Sequence, residues 1–268
     1  MHPKPLPLPT LRAPDLGSMP PRHLVGVLGA PIDVVTATVA VERIADWASR
    51  HESRVVCICN AHSVVTATRD TEVMRAIAGA DMATPDGAPV AWMMRNLGAT
   101  LQQRVSGPDL MLDYCARAAI SGESIFLYGG STETLKNLQR RLRERWPKLS
   151  IAGALSPPFR SLTQAEDADA ILVINASGAG TVWVSLGCPK QELWMAEHRG
   201  VVNAVMVGVG AAFDFHAGTI ARAPRWMREH ALEWLYRLLR EPGRLGGRYL
   251  TTNTMFLIGA FRQLLDSR

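Results

Sequence analysis

Apolar residues fall along this chain in two patterns: short continuous runs, and longer stretches spaced at three and four. The run Arg54–Cys59 (RVVCIC) predicts a strand buried on both faces. Ser124–Tyr128 (SIFLY), Thr181–Leu186 (TVWVSL) and Ala204–Val209 (AVMVGV) read the same way. The spacing between them predicts helices over Ser63–Ala80, Gly107–Ser121 and Thr132–Trp146, the last with Ser131 as its N-cap. Ala83–Gly87 is a short extended piece ending on Pro-Asp-Gly, a turn signal. Leu162–Ser177 is ambiguous. Ile171–Ile174 alone suits a strand, but the lead-in rich in Ala, Asp and Glu favours a helix to about Asn175, ended by Gly178 and Gly180.

This alternation predicts an α/β fold: a Rossmann-like, mostly parallel sheet with helices on both faces and a C-terminal helical appendage. In such sheets ligands bind beyond the carboxyl ends of the strands. The candidate site residues are therefore those that follow strands: Asn60 and His62, Asp86, Gly129 and Gly130, Lys190, Gln191 and Glu192, and Phe213 with Asp214. Any one polar loop is ordinary; several on one rim make a cleft. Gly129-Gly130-Ser131 lets backbone approach a ligand at a helix N-terminus suited to phosphate or ribose. It is not the Gly-x-Gly-x-x-Gly fingerprint of dinucleotide sites. Arg104, in a loop entering a helix, is placed to bind phosphate, and Asp109 to interact with the N-terminus of that helix.

Composition adds boundaries. The chain has 268 residues, suited to one large α/β domain with an appendage. A net charge of +5 points to anionic partners. The cysteines Cys57, Cys59, Cys115 and Cys188 form no Cys-x-x-Cys pair, and Cys57 and Cys59 should point the same way from one strand. Buried reduced thiols, and so a cytoplasmic setting, explain them best. Residues 1–22 are proline-rich without an apolar signal core and read as a disordered leader. Residues 23–221 then form the core, and 222–268 the appendage. No apolar run nears the roughly 20 residues that span a bilayer.

Between Arg222 and Arg248, seven arginines stand against Glu229, Glu233 and Glu241, a surplus of four positive charges. Trp226, Trp234, Tyr236 and several leucines are interleaved. This basic-aromatic helical pattern suits an anionic membrane surface or a phosphate. Glu166-Asp167-Ala168-Asp169 contains Asp-x-Asp, a metal-binding pattern in many sugar transferases, but inside a helical stretch it reads as a solvated face.

Taken together, these stretches resemble the WecG/TagA/CpsF family of bacterial glycosyltransferases over about residues 30–250. Thr84-Pro85-Asp86-Gly87, Arg104 to Asp109, Gly187-Cys188-Pro189-Lys190-Gln191-Glu192, Arg222-Ala223-Pro224 and Glu233-Trp234-Leu235-Tyr236-Arg237-Leu238 carry the resemblance. It implies an inverting, metal-independent and cofactor-free transfer from a UDP-sugar to a polyprenyl-diphosphate-linked sugar, serving exopolysaccharide or another surface glycan. It implies a protein peripheral at the inner face of the cell membrane. The proposed base falls on Asp86. Sugar-pocket residues fall on Asn60, Arg104 and Gln191, and phosphate-facing tail arginines on Arg237, Arg244 and Arg248. Many members carry Thr-x-Asn-Pro-Glu where this chain reads Ile58-Cys59-Asn60-Ala61-His62. The tail is expected to fold over the cleft at a lipid surface, with Pro242 breaking its helix. No nucleic-acid partner is expected; homo-oligomerisation is left open. Two rivals stand beside this reading: a nicotinamide-dependent oxidoreductase, and a non-catalytic basic protein of membranes or nucleic acid.

Overall fold

The computed structural model describes residues 22–230, 232–240 and 242–267. Apart from Arg22, the proline-rich leader lies outside the described residues. The chain opens with a hairpin of β1 (Leu24–Val27) and β2 (Ala30–Asp33), whose turn places Leu28 and Gly29 at positive φ. Helix α1 (Ala37–Ser49) leads to β3 (Arg54–Cys59), α2 (Ala61–Ala67), α3 (Thr71–Gly79) and β4 (Met82–Pro85). Next come α4 (Gly87–Asn96), α5 (Gly107–Ser121), β5 (Ser124–Gly129), α6 (Thr132–Arg145) and β6 (Ser150–Leu155). The core closes with α7 (Gln164–Ala176), β7 (Thr181–Ser185), α8 (Lys190–Glu197), β8 (Val205–Gly208) and α9 (Ala212–Ala217). Helices α10 (Arg225–Glu229), α11 (Glu233–Arg240) and α12 (Pro242–Asp266) follow.

Strands β3 to β8 form one six-stranded sheet in the order β4-β3-β8-β7-β5-β6. Every pairing in it is parallel, so all six carboxyl ends lie on one edge. The strands alternate cleanly between two apolar layers. Val55, Cys57 and Cys59 face the layer built with α2, α3, α4, α7, α8 and α12; Val56 and Ile58 face the layer built with α1, α5, α6 and α9. The two thiols thus point the same way, and both are fully buried and free. Burial of aliphatic side chains of this size is worth roughly 1.5–3 kcal/mol each. Neighbouring β5 and β7 send their connections in opposite directions, β5 outward to β6 and β7 inward to β8. Such a reversal opens a crevice at the carboxyl edge.

Several expectations change. Ser63–Ala80 is two helices, because the Asp70 side chain accepts from the Glu72 and Val73 amides and starts a new one. The ambiguous stretch is the helix α7, begun by a capping box of Thr163 and Glu166. Its Asp167 is no solvated carboxylate: it accepts from Trp194 Nε1 at 3.1 Å and faces His198 Nε2 at 2.8 Å, tying α7 to α8. Arg22, assigned to the leader, is anchored to both Asp33 oxygens and to the Ala80 carbonyl.

The end of the appendage packs against the core. Phe256 and Ala260 of α12 are buried in the core layer beside α2, at 2% exposure each. The Gln263 amide donates to the Gly26 carbonyl and accepts from the Leu28 amide, at 2.6 and 2.8 Å, as an added strand would. Arg237 lies in α11 and Arg244 in α12, which begins at Pro242; position 241 between them lies outside the described residues. No helix among the described residues is long and apolar enough to cross a membrane.

Candidate active site

Asp86 is set by its backbone. Its amide donates to the Cys59 carbonyl at 2.9 Å, and the Val105 amide donates to the Pro85 carbonyl at 2.8 Å. The residue is thereby held between the end of β3 and the loop entering α5. It is the N-cap of α4, accepting from the Gly87 amide at 2.7 Å. Gly87 has φ +78°, a conformation that favours glycine, and this turns the chain sharply under the carboxylate.

Arg104, Glu233 and Asp109 act on the charge of Asp86, and Arg222 and Ser106 join them in one network. Arg104 donates to Glu233 at 3.0 Å and lies 3.7 Å from Asp109. Arg222 grips both Asp109 oxygens, at 2.6 and 2.8 Å, and its Nε reaches Glu233 at 3.5 Å. Ser106 caps α5 and donates to Asp109 at 2.6 Å. Burial pushes the Asp86 carboxyl up; Arg104 pulls it down; Glu233 and Asp109 push it up again, to about 6. Asp109 goes the other way: burial raises it, but the hydrogen bonds from Arg222 and Ser106 outweigh that and hold it at about 2. The two neighbouring carboxyls are thus driven apart, one a permanent anion and one poised to take a proton near neutrality.

A second group lies at the crevice between β5 and β7. Gly129 has φ +112°, and a Cβ there would collide with the Ser185 carbonyl. The Gly130 amide donates to that carbonyl, and Ser156 donates to the Gly130 carbonyl. Ser131 caps α6 through the Thr134 amide, and the Thr134 hydroxyl donates to Asp214 at 3.3 Å. Asp214 also accepts from Thr219 at 3.2 Å, so it fastens α9 to the start of α6.

The other candidates divide by task. Asn60 caps α2, its Oδ1 accepting from the His62 and Ser63 amides. His62 sits half-buried in the first turn of α2. Lys190 is exposed at the start of α8. Gln191 and Glu192 are buried: Gln191 accepts from the Gly210 amide and donates to Glu192, both at 3.0 Å. Gln191 thus braces the loop after β8, while the Glu192 Oε2 is buried with no hydrogen-bond partner among the described residues. The side chains of Arg237, Arg244 and Arg248 lie outside the described residues; their backbones sit in α11 and α12. Among the described residues, no three His, Cys, Asp or Glu side chains gather as a metal would need.

Two partners were missed by sequence. Asp109 had a visible signal, Ser-x-x-Asp at a helix start, but that signal says only cap. Glu233 stood in a stretch that carries the resemblance and among the charges set against the arginines, with no partner assigned to it. Arg222, assigned to the appendage, is joined to the core through Asp109.

An edge of six parallel strand ends, a reversal crevice lined by glycine and a carboxyl raised by burial and opposed by Arg104 together suit group transfer from an anionic donor. Residues 25–268 match the sequence model described as the Glycosyl transferase WecG/TagA/CpsF family, essentially the whole described chain. That match sets aside the oxidoreductase and the non-catalytic alternatives, and the chain belongs to this family and is a glycosyltransferase.

Proposed function

We propose that this enzyme moves a sugar, with inversion, from a UDP-sugar to a polyprenyl-diphosphate-linked sugar during synthesis of an exopolysaccharide or other surface glycan. The observation that carries the proposal is the Asp86 carboxyl, held at the carboxyl edge between β3 and the loop that brings in Arg104. In one in-line displacement the acceptor oxygen bonds to the anomeric carbon as the bond to the UDP oxygen breaks. UDP leaves with the electron pair, and Asp86 takes the acceptor's proton. The diphosphate charge falls to Arg104, with the tail arginines Arg237, Arg244 and Arg248 as further candidates. Asn60 and His62 are candidates for the sugar pocket, and Gly129 and Gly130 for close backbone approach to the donor. Lys190 is a candidate for the outer rim.

Exposed Trp226 and Leu239, on α10 and α11, stand beside exposed Arg225 and Arg240. This apolar and basic rim supports peripheral contact with an anionic membrane. The test is a panel of UDP-sugars with a lipid-diphosphate sugar acceptor, the product's anomeric configuration read by NMR. Transfer with inversion supports the reading; retention, or no transfer from any UDP-sugar, overturns it.

A further inference from the structure

Arg104, whose charge acts on Asp86, already holds an anion that it shares with Arg222. Glu233, in the first turn of α11, sends one carboxylate oxygen to Arg104 at 3.0 Å and the other toward Arg222 at 3.5 Å. Its side chain is 18% exposed and Arg104's is 23%, so the pair is largely shielded from water. The two arginines are held unequally. Arg222 spends Nη1 and Nη2 on a bidentate pair with Asp109, a strong arrangement. Arg104 has a single short contact, to Glu233; its other carboxylate neighbour, Asp109, is 3.7 Å away. A guanidinium fork matches carboxylate and phosphate alike. An anionic group entering the cleft can therefore take Arg104 from Glu233 while Arg222 stays fixed to Asp109.

We propose that Glu233 is an internal stand-in for the donor's diphosphate, holding Arg104 while the cleft is empty and yielding it when the donor binds. The exchange has a mechanical consequence. Glu233 is the first residue of α11, and its contact with Arg104 pins that helix to the rim of the site. Donor binding then leaves only the longer Arg222 contact to hold the first turn of α11 to the core, while α12 stays docked through Phe256 and Ala260. Donor occupancy is thereby reported to the helix that carries Arg237 and the exposed Leu239. This deepens the nucleotide-sugar reading above and rests on it.

Calorimetric titration of UDP into the full-length chain tests the idea. Glu233→Gln is expected to bind UDP about tenfold tighter than the wild type, since a neutral amide competes weakly for Arg104. In an Arg104→Gln background the same change should alter the Kd by less than about twofold, because the two effects share one contact. Equal or weaker UDP binding by a stably folded Glu233→Gln overturns the proposal. Hydrogen exchange on the wild type decides the matter without any variant: UDP should speed amide exchange over residues 233–240, and unchanged or slower exchange overturns the proposal. Wild type that binds UDP without regard to Glu233 defeats this inference alone. Failure of every variant to bind UDP defeats the nucleotide-donor reading, and this proposal with it.

Discussion

At Asp86 the local physics sets the chemistry. Burial favours the protonated acid, Arg104 favours the anion, and Glu233 and Asp109 favour the acid again, leaving the carboxyl at about 6. Only the ionised form accepts a proton, so kcat/KM should fall as pH drops through about 6 and level off above it. A pH–rate profile checks this, and an acid limb near 4 would remove Asp86 from the base role. Asp86→Asn should keep UDP binding and lose about a thousandfold in turnover; calorimetry and a transfer assay separate the two. Gly129 illustrates a different constraint. Its positive φ and its contact with the Ser185 carbonyl exclude a Cβ, so Gly129→Ala should cost about 2 kcal/mol or more. A melting curve would show this as a drop of several degrees.

At the scale of elements, α12 matters most. Phe256 fills the layer beside α2, and Gln263 completes the hydrogen bonding of the β1 turn. Phe256→Ala should cost about 3 kcal/mol by leaving a cavity, measured by denaturant unfolding. Deleting residues 222–268 would strip the same contacts, so lost activity in such a truncation would report lost packing as well as lost chemistry. The helices legible in the sequence were those with a strong cap. Gly107–Ser121 follows Ser106 and was found unchanged; Thr132–Arg145 follows Ser131 and ended one residue short of expectation. The break at Asp70 was not seen, because the apolar spacing continues across it while the side-chain cap interrupts the backbone. The hairpin, α1 and the edge strand β6 were also not anticipated. Strand β6 is partly exposed along its length, and Gly153 interrupts its pattern.

For the whole molecule, the carboxyl edge and the rim of α10 and α11 meet at Glu233. The proposed membrane contact predicts sedimentation with vesicles containing anionic lipid, weakened by salt and absent with neutral lipid. Trp226→Ser combined with Leu239→Ser should reduce that binding while leaving the melting temperature within a few degrees, since both side chains are exposed. Undiminished vesicle binding by the double variant would move the contact elsewhere.

The sequence by itself determined the sheet's strands, their apolar faces and the run of loops at their carboxyl ends. Continuous apolar runs suit strands buried on both faces, and Pro-Asp-Gly marks where one regular element gives way to the next. It also singled out Asp86, Arg104 and Arg222. The pairing of these residues was decided by the tertiary structure. Glu233 lies 129 positions from Arg104, and Asp109 lies 113 from Arg222. A charge's partner over such distances depends on how helices pack, which no local pattern records. The same holds for Gln191, whose side chain accepts from the Gly210 amide 19 positions away, a contact set by how α8 packs beside β8.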